Sequence, residues 1–409
     1  MATVLDSIDR REFLRRSALT GIGLGLYPLG ASAADAGVQR KVRLGRTGLE
    51  ISDISFGASR LSGDEALVHH ALDRGVNYFD SAEGYTGGAS EETIGRALRG
   101  KRDRVYLTSK TKCGANDTRE ELMQALEGSL RRLQTDYVDV YFNHAVNSLA
   151  RLKNQEWAEF TSRAVKQGKI RFSGMSGHGG HLVECLDYAA ENDLFDVVLV
   201  AYNYGQDPTF TQRLTARFDF VQPQPDLPRV LSKLKQKDVG VVVMKTLRGA
   251  RLNDMRPYET GDATFAQAAF RWTLSSPNVD ALIVSMKSID MIDEYLGASG
   301  WTGVKPADVS LLERYEGKNA ASQCRYGCSA CSDSCPQGVA ISDVLRTRMY
   351  ARDYGDLELA RSDYATLGVG AAACVSCADQ SCAAACPFGL AIPELTVPIH
   401  GELAANDAG

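Results

Sequence analysis

The sequence is short of the features that would tie it to nucleic acid or to a membrane. It has no long basic block, and its 51 acidic residues outnumber its 46 lysines and arginines. A chain of net charge -5 has no electrostatic reason to seek a polyanion. It also has no apolar run fit to span a bilayer: the modestly apolar stretch from Ala18 to Leu29 is too short and too rich in glycine. Within it, Gly21-x-Gly23-x-Gly25 follows no strand, which excludes a phosphate-cradling loop. Cysteine is nearly missing from the first three quarters of the chain. Cys113 and Cys185 stand there alone and read as isolated core residues, while the other eight crowd between Cys324 and Cys386.

The N-terminal segment is present for a different purpose. Arg10-Arg11-Glu12-Phe13-Leu14-Arg15-Arg16 precedes the apolar stretch, and Ala31-Ser32-Ala33 offers small residues for cleavage. The pattern predicts a twin-arginine export signal over residues 1–33, recognition by the twin-arginine export machinery, and a periplasmic mature protein. Removal of the signal leaves the mature chain more acidic and without a transmembrane segment.

From Lys41 short β-rich runs alternate with amphipathic stretches, the mark of parallel βαβ units. Lys41–Leu44 and Leu49–Ile51 flank Gly45-Arg46-Thr47-Gly48 as a hairpin. Strands are expected at Ile54–Gly57, Asn77–Asp80, Val105–Lys110, Val138–His144, Ile170–Met175, Val197–Tyr202, Val239–Lys245 and Ala281–Ser285. Eight such runs, each followed by a helical stretch such as Arg119–Leu133 or Phe265–Leu274, predict a closed (β/α)8 TIM barrel over residues 40–318. The Pro-containing segment Gly205–Pro228 reads as a loop over the barrel mouth. Beyond about Lys318, cysteines with Gly and Pro replace the alternation. A mostly helical middle, Ile341–Leu367, separates two cysteine groups, so residues 319–409 read as a second, small domain.

Four ionisable residues close or follow consecutive strands: Asp80, Tyr85 in the next loop, Lys110 and His144. Each ends an apolar run, where an unpaired charge is costly. The economical arrangement pairs Asp80 with Lys110 and lets the ammonium lower the pKa of Tyr85. Such a phenol can give a proton to a carbonyl oxygen or take one from an alcohol, with His144 holding that oxygen.

Leu44-Gly45-Arg46-Thr47-Gly48-Leu49, Phe79-Asp80-x-Ala82-x-x-Tyr85 and Gly168-Lys169-Ile170-Arg171 together resemble the aldo/keto reductases, over roughly Lys41 to Gly297. The resemblance implies a nicotinamide cofactor held in an extended pose at the C-terminal face of the barrel, without a Rossmann domain. It also implies a catalytic tetrad, which falls on Asp80, Tyr85, Lys110 and His144. By the same resemblance the cofactor contacts fall on Ser176, on Tyr202 and Asn203, on Lys245, Leu247 and Gly249 in the diphosphate-facing loop, and on Lys287 and Ser288 at the adenosine phosphate. Gly177 stands where many relatives have Asn, and the family's Gln is missing from the sixth strand. Asp293 stands where many relatives carry a base; an acid suits a ribose hydroxyl and repels a phosphate, so NADP and NAD both remain open.

The cysteine groups are Cys324-x3-Cys328-x2-Cys331-x3-Cys335-Pro336 and Cys374-x2-Cys377-x4-Cys382-x3-Cys386-Pro387. They resemble two-cluster bacterial ferredoxins, in which the fourth cysteine of each group serves the other [4Fe–4S] cluster. That resemblance implies one cluster on Cys324, Cys328, Cys331 and Cys386 and a second on Cys374, Cys377, Cys382 and Cys335. Disulfides, favoured by export and an even count, and zinc remain alternatives.

These readings converge on an exported oxidoreductase acting on a small carbonyl or alcohol, with a sugar among the candidates. A retained nicotinamide would pass electrons through the clusters to an external partner. The alternatives are an NAD(P)H-dependent carbonyl reductase with purely structural clusters, and a non-catalytic redox-sensing subunit.

Overall fold

The structure, a computed structural model, describes residues 37–206, 226–247, 254–259, 263–301, 303–319, 324, 328–352 and 355–404. The export signal, residues 207–225 of the proposed mouth loop, and Gly249 lie outside the described residues.

Eight parallel strands close into a barrel: β3 (Ile54–Gly57), β4 (Tyr78–Asp80), β5 (Tyr106–Thr111), β6 (Val138–Asn143), β7 (Ile170–Gly177), β8 (Val197–Ala201), β9 (Gly240–Met244) and β10 (Ala281–Ser285), with β10 pairing back onto β3. All eight expected strands are present; Ile54–Gly57 and Ala281–Ser285 have the expected bounds, and the ends of the others differ by at most two residues. β7 runs on to Gly177, two residues past its expected end, so Ser176 lies inside the strand. The helices that cover them are α1 (Glu65–Asp73), α2 (Ala89–Ala97), α3 (Arg119–Leu133), α4 (Gln155–Lys166), α5 (Leu182–Glu191), α6 (Asp226–Gln236), α7 (Phe265–Leu274) and α8 (Ile289–Leu296), counting helices of eight residues or more. Helix α6 starts at Asp226, so the last three residues assigned to the mouth loop belong to its first turn.

The strand residues sort by parity, as a pleated barrel requires. Tyr78, Val140, Phe142, Val197, Leu199, Val242, Ala281 and Ile283 fill the interior. Their neighbours of opposite parity, including Phe56, Phe79, Leu107, Tyr141 and Val241, pack outward against the helices. The hairpin β1 (Lys41–Arg43) and β2 (Glu50–Ser52) adds Leu44, Leu49 and Ile51 to the interior cluster, plugging it. Its turn needs Gly45: φ is +46°, and a Cβ there would stand 2.3 Å from the backbone nitrogen of Gly240.

Helix α9 (Pro306–Asn319) contributes Leu311, Leu312 and Tyr315 to the barrel's outer core. A second core then forms from α10 (Ile341–Arg352), α11 (Leu357–Ala365), α12 (Ile392–Leu403) and the cysteine-bearing turns. The expected helical middle is thus two helices. Tyr364 ties this core together: its hydroxyl meets His400 Nδ1 at 2.7 Å and accepts from Ala371 N at 2.7 Å. Residues Ala36–Gly409 form one compact unit despite the two cores.

Candidate active site

Parallel strands deliver the residues that follow their C-terminal ends to one face, and the four expected residues meet there. Lys110 Nζ donates to Asp80 Oδ2 at 2.7 Å, to the Ser81 carbonyl at 2.5 Å and to the Tyr85 hydroxyl at 3.4 Å. Thr108 donates to the other Asp80 oxygen at 2.9 Å. The ammonium also lies 4.7 Å from the centre of the Tyr85 ring, and His144 meets that ring edge-on at 5.6 Å. Asp80 and Lys110 are buried, whereas Tyr85 and His144 are half-buried and face the mouth.

Burial dominates the protonation of every member. It raises the carboxyl of Asp80 and lowers the ammonium of Lys110, and their mutual attraction opposes both shifts. The hydrogen bonds from Thr108 to Asp80 and from Lys110 to Asp80 and the Ser81 carbonyl hold the two as an ion pair. His144 is pushed well down by burial and then by Lys110 and other cations, so its imidazole is neutral. Tyr85 corrects the expectation from sequence: its pKa is raised well above the usual phenol value, by burial first and then by Asp80 and Asp363. Burial, with the two acids, therefore keeps Tyr85 protonated, as a proton donor.

Ser176 is buried, and its hydroxyl accepts from Ala145 N at 3.0 Å. Asn203, also buried, donates to the Lys245 carbonyl at 3.2 Å and accepts from Gly205 N at 3.0 Å, bracing the β8 and β9 loops. Tyr202 lies against Trp272, ring centroids 5.3 Å apart. Lys245 sits in the left-handed region at φ +59°, followed by Thr246, whose buried hydroxyl lacks a partner, and buried Leu247. Lys287 is exposed with Arg60 in electrostatic reach, and Ser288 caps α8 by accepting from Met291 N. Asp293 changes meaning: it pairs with His70 at 2.8 Å and Arg74 at 3.1 Å, so its carboxylate is engaged within the protein.

Sequence reasoning treated α10 as a spacer, yet the helix reaches the barrel mouth. Tyr350 meets Lys245 Nζ at 3.2 Å through its hydroxyl and at 4.6 Å through its ring. Asp343 pairs with Arg346 and accepts from Asn147 Nδ2 at 2.9 Å. From α11, Asp363 pairs with Lys112 at 3.6 Å. The signal was legible: Asp343, Arg346 and Tyr350 are spaced three and four apart, which puts them on one face of the helix.

Among the described residues no disulfide joins the cysteines. Cys335 joins Cys374, Cys377 and Cys382 around one pocket. In the other set Cys331 lies in electrostatic reach of Cys386 and Cys328, and Cys324 packs on the same core. Among the described residues, no three His, Cys, Asp or Glu side chains form a group fit to hold a single metal ion. Cys113 and Cys185 are buried in the barrel's outer core, their thiols pushed up to about 11 and about 12 by burial.

Relatives agree with this architecture. The L-galactose dehydrogenase of Arabidopsis thaliana is 26% identical over 292 residues, 62% of this chain and 86% of that one. A probable voltage-gated potassium channel subunit beta of Oryza sativa is 28% identical over 298 residues, 62% of this chain and 89% of that one. Among solved structures, an aldo-keto reductase from Klebsiella pneumoniae in complex with NADPH is 26% identical, covers 68% of this chain and 95% of its own, and superposes with a TM-score of 0.53. The sequence model of the aldo/keto reductase family matches residues 53–256, from the loop before β3 to the turn after β9. With the closed eight-stranded barrel and the meeting of Asp80, Tyr85, Lys110 and His144 at its mouth, this chain belongs to the aldo/keto reductase family of oxidoreductases.

Proposed function

We propose that this protein interconverts a carbonyl compound and its alcohol, with Tyr85 as proton donor and acceptor. The observation that carries the reading is Lys110 Nζ, held between Asp80, the Ser81 carbonyl and the Tyr85 hydroxyl. Tyr85, kept protonated, gives its proton to the carbonyl oxygen. The phenolate that results faces an ammonium already in place, so no group must move to receive the charge. Neutral His144 presents a ring N–H to the same oxygen and fixes its position. In the opposite direction the phenolate removes the alcohol proton.

The cofactor supported best is NADP(H), which supplies or receives the hydride when bound. The mouth suits a dinucleotide: the Thr246 hydroxyl is buried without a partner, and beside it burial lowers Lys245 to about 7. Lys287 is an exposed cation at the expected adenosine end, Asp293 is paired with Arg74 and hydrogen-bonded to His70, and the Klebsiella relative was solved with NADPH. The expected result is NADPH oxidation on adding a small aldehyde to the purified protein. Failure to bind NADP and to oxidise NADPH with any of a panel of aldehydes and ketones overturns the reading.

The cysteine-bearing region is read as holding two [4Fe–4S] clusters in the crossed pattern. Support comes from the donor set: four thiols share one pocket, and the thiols of Cys331, Cys374 and Cys382 are raised by burial and then by the neighbouring cysteines of each set. Such a group resists ionisation until iron compensates it. A cube spreads its four thiolates wider than one ion does, so the lack of a mononuclear site does not count against it. A relay role is supported by packing: a Cβ on Gly180, in the loop after β7, would stand 3.4 Å from the Cys328 carbonyl. Bleaching of cluster absorbance on adding substrate is the expected sign of a relay, and unchanged absorbance during turnover leaves the clusters structural. The N-terminal Arg10-Arg11 pattern supports export to the periplasm by the twin-arginine route. Replacing both arginines by lysine is expected to leave the protein in the cytoplasm, and continued export defeats that assignment.

A further inference from the structure

Helices α10 and α11 do more than adjoin the barrel: they reach across its mouth. Among the described residues, five of the eight loops that follow barrel strands meet them or the residue that caps α11. Arg60, after β3, pairs with Asp356, and Lys112, after β5, pairs with Asp363 at 3.6 Å. Asn147, after β6, donates to Asp343 at 2.9 Å. After β7, Gly180 lies so close to α10 that a Cβ there would stand 2.3 Å from the Ser342 hydroxyl. After β9, Lys245 Nζ meets the Tyr350 hydroxyl at 3.2 Å. The far side of this layer is held as well. Ser342 N donates to Ser332 Oγ at 3.3 Å, next to Cys331, and Val344, Leu345 and Met349 pack into the second core.

The places of these anchors show what lies beneath them. Lys245 belongs to the loop expected to face the diphosphate. Arg60 stands at the expected adenosine end: the preceding Ser59 bonds its hydroxyl to that of Ser285 at 2.8 Å, at the end of β10 and two residues before Lys287. The strands run β9, β10, β3 around one side of the barrel and β5, β6, β7 around the other. The anchors therefore surround the mouth instead of lining one edge, and the layer cannot swing clear while either side stays bonded. Asp356 and Asp363 hold its two rims, and a carboxylate at either place repels a diphosphate. These two acids thus fasten the layer and contribute nothing attractive to a bound nucleotide.

We propose that α10 and α11 form a closed cover over the bound nucleotide, so that NADP(H) enters and leaves only when they lift. This rests on the NADP(H) reading above. The C-terminal region then controls nucleotide exchange, whatever electrons its clusters carry. Lifting breaks both rim pairs together with the bonds from Asn147 and Tyr350, so the cover slows arrival and departure alike.

The test is the exchange of NADPH on the purified protein, followed by its fluorescence, in the wild type and in Asp356→Asn combined with Asp363→Asn. Asparagine at 356 keeps the cap that Asp356 gives α11 through Leu359 N, so the rim pairs are lost without unwinding the helix. Association and dissociation are both expected to quicken about tenfold, while Kd changes by less than about threefold. Charge alone predicts the reverse for release, because a mouth with two fewer acids holds an anion longer. Asp187→Asn, which loses ion pairs with Arg229 and Lys233 between α5 and α6, should leave both rates at the wild-type values. Unchanged rates or slower release in the double variant overturn the proposal. So does faster release matched by an equally weaker Kd, the mark of a damaged site and not of an opened one. A wild type that binds NADPH, with rates indifferent to both acids, keeps the cofactor reading and loses the cover; a wild type that binds none loses both.

Discussion

Lys110 organises the site because it is a buried cation with three acceptors and no water to lean on. Tyr85 gains from it only when the phenol has lost its proton, since in the resting site burial and the acids at the mouth keep the hydroxyl protonated. Tyr85→Phe should therefore lower kcat by about 100- to 10,000-fold, the usual range for a lost general acid, while NADP binding persists. Activity within tenfold of wild type would falsify the assignment of Tyr85. Lys245 carries a second prediction. Burial and Arg346 bring its pKa down from the ordinary lysine value to about 7, so above that pH the free protein lacks a proton that a bound anion would restore. Affinity for NADP should then fall as pH rises from about 7 to 9, by up to about tenfold per pH unit, with proton uptake visible calorimetrically in buffers of different ionisation enthalpy. In Lys245→Met the slope should vanish; if it survives, another group is responsible. Residue identities at strand ends made the tetrad legible without a structure. The direction of the Tyr85 shift was not, because burial, its largest cause, is set by packing, and Asp363 adds to it from α11, far away in sequence.

Among the elements, α10 differs most from its sequence reading. Its apolar residues Val344, Leu345 and Met349 pack into the second core, which explains why it reads as an ordinary spacer helix. Its polar stripe of Asp343, Arg346 and Tyr350 turns instead to the barrel mouth, where Asn147 and Lys245 meet it. The barrel strands were legible because alternation and apolar runs are local properties. Where a helix docks depends on side chains of another element, which no window of sequence contains. Asn147 offers a test. Asn147→Ala removes the donor to Asp343 and the acceptor for His181 N, at a cost of about 1–3 kcal/mol for the half-buried groups left behind. The loss should be local, so amide exchange over 341–352 should quicken while α3 and the barrel strands stay protected. Uniform quickening across the barrel would mean that the contact supports the whole fold and not the docking of this helix.

Across the whole molecule, the second core is closed by residues from both cysteine groups, which is why its pairing pattern matters. Cys335 leaves its own group to join Cys374, Cys377 and Cys382, while Cys386 lies within electrostatic reach of Cys331. If the clusters follow that arrangement, adjacent cysteines in the sequence serve different clusters, and a pair of substitutions can tell crossed from uncrossed ligation. Cys331→Ser with Cys335→Ser strikes both clusters in the crossed pattern but only one in the uncrossed pattern. Cys331→Ser with Cys386→Ser does the reverse, removing one cluster if crossed and two if not. Protein reconstituted anaerobically should carry about eight irons in the wild type, about four in the second double variant and close to none in the first. Both double variants lose two ligands, so general fragility would lower them together, whereas the crossed pattern separates them. Equal iron in the two, or the opposite order, would remove the crossed assignment, and a wild type that takes up zinc in place of iron would remove the clusters altogether.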